Sequence, residues 1–307
     1  MFREKISILS FQFWILLFLP LVECSPGDRD PHFQLCSRKC IVNCINQQHS
    51  FLSWGCKGEC EYDCMFRITD ERTKLGLDIL QYYGKWPFYR LFIIQEPASF
   101  IFSVLNLVSQ IIGWIHYSKN VDSSFKFYGL AKVQSFINSV AWTCAIIFHT
   151  RDTYWTEKMD YFSAAAVIGV SLFTCFSHII GDMESFATKF IGALILSVFS
   201  FHIYYMAFIH FDYGYNMKFL VSNGIINITV WFIWSWINRK KRPVGKCVLV
   251  MGGTLLLASL EVFDFPPIFW ILDGHALWHF GTIPIPFLWF SFLTENALFE
   301  TSKSSLD

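Results

Sequence analysis

Seven apolar runs, each close to the ~20 residues that a helix needs to cross a hydrocarbon core, constrain this chain more than any other feature. They lie near residues 97–115, 127–149, 160–180, 188–210, 219–237, 246–263 and 273–292. The sixth is the weakest, since Gly252 and Gly253 interrupt it and Glu261 sits near its end. Composition supports a membrane as solvent. Hydrophobic residues make up 54% and charged residues 16%, against roughly 45–50% and ~25% in an ordinary globular chain. A soluble protein could not hide 34 Phe and 12 Trp in one core without leaving large apolar patches. Lys plus Arg (24) balances Asp plus Glu (24), so net charge offers no case for a nucleic-acid partner. No phosphate loop, dinucleotide fingerprint or nucleophile elbow is present. The expected fold is an all-α membrane protein, with seven transmembrane helices and a small disulfide-stapled helical hairpin ahead of them.

The first residues read as a secretory signal. Arg3 and Lys5 form a basic region before the apolar run 6–22, and Val22 and Cys24 suit cleavage before Ser25. An uncleaved anchor helix is the alternative, and both deliver the residues after it to the lumen. Cys36, Cys40 and Cys44 are spaced by four, as are Cys56, Cys60 and Cys64, which places each trio on one helix face. Two such helices facing each other would pair most simply as Cys36–Cys64, Cys40–Cys60 and Cys44–Cys56, although fifteen connectivities are open for six cysteines. An oxidising lumen favours disulfides; a zinc cluster is the competing reading. The expected organisation is a signal peptide over 1–24, a lumenal Cys-rich cap over 25–96, a seven-helix domain over 97–292 and a cytosolic tail over 293–307.

Orientation is set in two independent ways. A signal peptide places the cap in the lumen, and seven crossings then place the C-terminal tail in the cytosol. The same count makes the loop around 238–246 cytosolic, and it carries Arg239, Lys240, Lys241, Arg242 and Lys246 with no acid, as the positive-inside bias requires.

Ionisable residues within spans are costly and mark function. In this topology His149 ends the second run, Asp160 opens the third, and His275 and His279 lie on the seventh, all toward the lumenal side. Residues four apart share a helix face, so His275 and His279 reach one point. Three imidazoles and a carboxylate at one depth suit a catalytic zinc, which keeps three protein ligands and leaves one position for water. Asp160 would manage the proton or orient a ligand. The bland alternative is a set of histidines hydrogen-bonding at the headgroup level. His116, His178, His202 and His210 have no partner at helical spacing and read as interfacial. Trp231, Trp234 and Trp236 read as interface belt and packing, and the sequon Asn227-Ile228-Thr229 falls inside the fifth run.

Several segments together resemble one family: Phe148-His149-Thr150-Arg151-Asp152, Glu157-Lys158-Met159-Asp160-Tyr161-Phe162, Asp264-Phe265-Pro266-Pro267, and Leu272-Asp273-Gly274-His275-Ala276-Leu277-Trp278-His279. Gly84-Lys85-Trp86-Pro87-Phe88, Gln95-Glu96-Pro97-Ala98 and Phe211-Asp212-Tyr213-Gly214-Tyr215-Asn216 belong with them. The chain is similar over about 36–292 to the post-GPI-attachment-to-proteins factors, or Per1-like proteins. These sit within a group of seven-span metal-dependent hydrolases that includes alkaline ceramidases and the adiponectin and progestin receptors. The resemblance implies removal of the sn-2 acyl chain from the phosphatidylinositol of GPI-anchored proteins, a phospholipase A₂-type step. Implied surroundings are the Golgi membrane, or that of the endoplasmic reticulum, with GPI-anchored proteins and their lipid as partners. It also implies zinc on His149, His275 and His279, with Asp160 as the acidic residue. Non-catalytic binding or escort of the GPI lipid, and a ceramidase-like amide hydrolysis, are the rival functions. One position departs from the pattern: the Ser usual four residues before the first His is Ala145 here. Thr143 and Cys144 project elsewhere at ~100° per residue. If that Ser stabilises an oxyanion, its loss costs on the order of 100-fold in rate.

Overall fold

The computed structural model describes residues 25–44, 54–240 and 244–304. The expected signal segment and the centre of the basic loop, with Lys241 and Arg242, lie outside them. Among the described residues the regular structure is helical, and the only β pairing is isolated bridges such as Tyr82 with Lys85 and Ile268 with Leu272.

Two helices, α1 (Pro31–Cys44) and α2 (Cys56–Lys74), form the N-terminal hairpin. The four-residue spacing turns each cysteine trio onto one face, and the pairs that form are Cys36–Cys64, Cys40–Cys60 and Cys44–Cys56. The ladder replaces a core that so short a unit cannot build from apolar burial. Among the described residues its buried apolar cluster is Phe33, Cys64, Ile68 and Tyr82, with the Phe33 and Tyr82 rings 4.8 Å apart.

Among the described residues, seven helical segments are long and apolar enough to cross a membrane: Pro97–Asn120, Tyr128–Thr150, Tyr154–Ile180, Phe186–Ile209, Tyr213–Asn238, Gly245–Val262 and Gly274–Ser302. We label the helices α3 (Pro97–Asn120), α4 (Tyr128–Thr150), α5 (Tyr154–Ile180), α6 (Phe186–Tyr204), α7 (Tyr213–Asn238), α8 (Gly245–Val262), α9 (Gly274–Thr282) and α10 (Ile285–Ser304). A π-helical turn, Tyr205–Ile209, closes the fourth span. Local capping sets the starts that hydropathy misses. Thr153 and Thr156 form a capping box, so α5 begins at Tyr154 and Asp160 sits inside the helix. Asp212 accepts from Tyr215 N–H and starts α7 earlier than its apolar run does. Gly181, at φ 82°, ends α5 in the left-handed conformation.

In the packing, α3, α4, α5, α7, α8 and the α9–α10 pair form a closed ring, and α6 lies outside, mainly against α5. The seventh span is broken. Pro284 and Pro286 lack N–H donors, and carbonyls left free at the break are taken by α3: Asn106 Nδ2 donates to His279 O (2.7 Å) and Ser109 Oγ to Ile283 O (2.6 Å). Such re-satisfaction is what permits a break inside a span. Away from His149, the ring is filled by Trp231, Trp234, Trp289, Phe290 and Phe292. Trp231 and Trp234 are therefore packing residues, whereas Trp236 is exposed.

Candidate metal centre

Two helices bring the predicted histidines together. His149 is at the C-terminal end of α4, and His275 and His279 are one turn apart on α9. Gly274 allows the approach: a Cβ there would lie 2.4 Å from Leu260 O, so only glycine lets the start of α9 pack onto the end of α8. Asp273 caps α9 by accepting from Ala276 N–H (2.8 Å).

The Nε2 atoms of His275 and His279 are 3.0 Å apart, and those of His275 and His149 are 3.4 Å apart. One ligand atom from each ring lies within 4.8 Å of the others. Each Nδ1 is engaged by a different partner: Glu96 Oε2, at the N-cap of α3, for His149 (2.7 Å), Glu261 Oε2, near the end of α8, for His275 (2.8 Å) and Ser103 Oγ, within α3, for His279 (2.9 Å). Carboxylates only accept, so the first two rings donate from Nδ1. Ser103 has one proton and gives it to Ser99 O (2.7 Å), so it too accepts from Nδ1–H. Every Nε2 therefore turns a lone pair toward the other two. Three acceptors this close repel one another unless a cation lies among them, and oriented rings with outer partners are how proteins present histidine to a metal. The residues fit a divalent metal such as zinc on the donor set alone.

Asp160 joins the group differently. It is partly buried, lies in the electrostatic field of His275, Lys85, Glu96 and Glu261, and forms no hydrogen bond to the three rings among the described residues. His149 and His279 are buried, whereas the side chain of His275 is 34% exposed and that of Glu261 23%. The approach to the centre is on that side.

Behind His149 the cap enters the site. Lys85 Nζ lies 2.5 Å from Glu96 Oε1 and 3.0 Å from Asp152 Oδ2, over the ring of Phe148. Burial alone would push the Glu96 carboxyl up. The Lys85 ammonium and the His149 ring outweigh it and hold it well below the usual carboxylate range. Lys85 in turn is held above its ordinary value by Glu96 and Asp152, against its burial. On the other flank, Gln81 Nε2 and Trp86 Nε1 both donate to Asp264 Oδ2 (2.7 and 2.8 Å), and Tyr89 N–H donates to Trp270 O.

Sequence reasoning missed Glu96, Glu261, Ser103 and Lys85. Glu96 stood directly before the Pro97 that opens a span, and Glu261 was the acid that weakened the sixth run; each signal pointed to a partner for a histidine. Ser103 carried no signal, since serines are common in spans. Ala145 is buried one turn from His149. The hydroxyl that does touch the cluster, Ser103 Oγ, is spent on His279. His116, His178, His202 and His210 stay apart from the centre. His116 and His210 are exposed, and His178 stacks on Phe127. His202 is not interfacial as expected: it is fully buried, stacked on Phe219 at 3.9 Å and 3.2 Å from Asn216 Oδ1.

A model of the Per1-like family matches residues 46–297, most of the chain and all of this centre. The chain belongs to the Per1-like family. Curated relatives of this Per1-like protein align nearly end to end. A Xenopus laevis protein called GPI-specific phospholipase A2-like PGAP3 is 40% identical over 94% of this chain and 95% of its own. A Danio rerio protein of the same name is 38% identical over 89% and 91%. Post-GPI attachment to proteins factor 3 of Drosophila melanogaster is 36% identical over 87% of each chain. No solved structure matches.

Proposed function

We propose that this Per1-like protein remodels the lipid of GPI anchors by hydrolysing the sn-2 acyl ester of their phosphatidylinositol, using zinc held by His149, His275 and His279. One observation carries the reading: three Nε2 lone pairs converge, with each Nδ1 tied off by Glu96, Glu261 or Ser103. The names of the relatives supply the substrate class. When bound, zinc supplies Lewis acidity toward the ester carbonyl and makes hydroxide accessible near neutral pH.

The protein's own groups do the rest. Glu96, Glu261 and Ser103 hold the rings at the orientation that presents Nε2. Asp160 takes the proton of the attacking water at its carboxylate and returns it to the glycerol oxygen as the acyl–oxygen bond breaks, giving a free fatty acid and the lyso lipid. The partly exposed His275 edge admits the ester, and the acyl chain lies between spans. By the signal and positive-inside arguments, the cap and the centre face the lumen and the C-terminus faces the cytosol; the family resemblance adds residence in the Golgi membrane, or alternatively that of the endoplasmic reticulum, with GPI-anchored proteins as partners. The organisation proposed is the signal 1–24, cap 25–96, membrane domain 97–292 and tail 293–307.

In cells lacking the activity, His275→Ala protein that folds and localises normally is expected not to restore anchor remodelling; full restoration sinks the reading. Ala145 favours a second reading, binding or escort of the lipid without turnover. Fatty acid and lyso-lipid release by wild type, His279→Ala and Ala145→Ser, compared side by side, separates them. Release by wild type supports hydrolysis, a faster Ala145→Ser variant supports a lost oxyanion donor, and an inert series supports the escort.

A further inference from the structure

Two arginines beside the centre have no role in the chemistry above. Arg151 follows α4 directly, two residues past His149, so its backbone is within ~7 Å of that ligand's. The strand of chain before α3 is stitched to this end of α4: Gln95 N–H donates to Thr150 O, Glu96 N–H to His149 O, and Asp152 N–H to Gln95 Oε1. Arg90, from the cap side, comes to the same place. Both guanidinium carbons lie over one indole, that of Trp54, at 3.8 Å for Arg90 and 5.1 Å for Arg151, and Arg90 also lies 4.2 Å over Tyr62. Each arginine is in the other's electrostatic field.

Cation–π attraction explains why each arginine seeks the ring. It does not explain why two like charges share one. Glu59 and Asp63 of α2 face Arg90 from the cap, but neither forms an ion pair with it among the described residues. Arg90 Nη1 is buried with no hydrogen-bond partner there, and a buried guanidinium N–H without an acceptor is costly. The rim of the site thus holds two neighbouring positive charges, and one donor of Arg90 meets no acceptor among the described residues.

We propose that Arg90 and Arg151, with Trp54 between them, are the subsite for the phosphodiester of the substrate lipid. Guanidinium forks match the two non-bridging oxygens of a phosphodiester, which carries one negative charge. In a phosphatidylinositol the phosphate is only a few bonds from the sn-2 ester, as Arg151 is only two residues from His149. Anchoring the phosphate at the rim brings that ester to the histidines and rejects neutral diacyl lipids and ceramides, which offer no anion. The assignment rests on the hydrolase reading for where the ester lies.

The test uses the full-length protein in detergent, treated with a chelator so that nothing turns over. Binding of dihexanoyl phosphatidylinositol is compared with that of dihexanoylglycerol and of inorganic phosphate. Wild type is expected to prefer the phospholipid by about tenfold or more, and Arg90→Gln and Arg151→Gln each to lose most of that preference at unchanged melting temperature. Arg90→Lys keeps the charge but not the fork, and is expected to recover only part. If Arg90→Gln does not fold, Arg151→Gln decides alone. Equal binding of the two lipids by wild type overturns the subsite. So does unchanged preference in the variants, or inorganic phosphate binding as tightly as the lipid. Fatty-acid release by metal-loaded protein is scored separately. Preference without release would sink hydrolysis and leave the subsite, whereas release with unaltered preference in the variants would sink the subsite alone.

Discussion

Ser103 accepts from His279 and Lys85 pairs with the Glu96 that accepts from His149, so each helps decide how a histidine is presented. Ser103→Ala removes the acceptor of His279 Nδ1–H and frees that ring to turn. Outer partners of metal-binding histidines are typically worth 10–100-fold in metal affinity, so competition with a chelating dye is expected to show zinc held about tenfold more weakly, with the melting temperature of the metal-free protein nearly unchanged. Lys85→Met leaves Glu96 buried without its ammonium, a loss of about 3 kcal/mol for breaking a buried pair, read by thermal melting. The pH dependence comes from the two shifts. Glu96, held low, stabilises the fold above the ordinary carboxylate range near 4 and loses that contribution only as pH falls through its depressed value. Lys85, held high, contributes below about 10 and loses it only as pH rises through its raised value. Wild type is therefore expected to melt without change from this pair between about pH 5 and 9. Lys85→Met should instead gain stability as pH falls, because protonation neutralises Glu96; a flat profile in the variant would contradict the pairing.

At the scale of elements, the broken seventh span does most to shape the centre. Helix α9 is short, ends above two prolines, and is held from three sides: Asp273 caps it, Leu260 O abuts Gly274, and Asn106 of α3 holds His279 O. A methyl at position 274 would meet Leu260 O at 2.4 Å, which is backbone and cannot move aside. Gly274→Ala is expected to push α9 off α8, separate His275 from Glu261, and lower zinc affinity by an order of magnitude or more while the helical circular dichroism stays intact. The apolar runs made the existence of this helix legible, and the four-residue spacing made its ligand face legible. The break was not, because two prolines in a span are tolerated only where another helix supplies donors, and hydropathy is blind to the neighbour. The starts of α5 and α7 escaped for a related reason: Thr153 and Asp212 cap helices in polar stretches that contribute nothing to an apolar run.

For the whole molecule, the cap and the membrane domain are one working unit, since Lys85 reaches the His149 side and Gln81 and Trp86 reach Asp264 on the approach to His275. The middle rung of the ladder closes a loop of 20 residues in sequence, worth about 3 kcal/mol in the chain-entropy view. Cys40→Ala/Cys60→Ala protein is expected to melt markedly lower and to hold zinc less tightly than wild type. Melting without metal loss would show the cap to be a separate module. The sequence by itself determined the seven-helix membrane architecture, the shared helix face of each cysteine trio and that of His275 with His279, because these depend on apolar run length and on helical periodicity, which are local properties of the chain. Which cysteines pair, and that His149 joins the other two rings, are tertiary. Only the tertiary structure decided which groups tie off each Nδ1, that a lysine of the cap braces the carboxylate behind His149, and that two arginines share one indole at the rim. Those pairings join residues far apart in sequence through side chains of ordinary type, and their energy exists only once burial has removed water from between them.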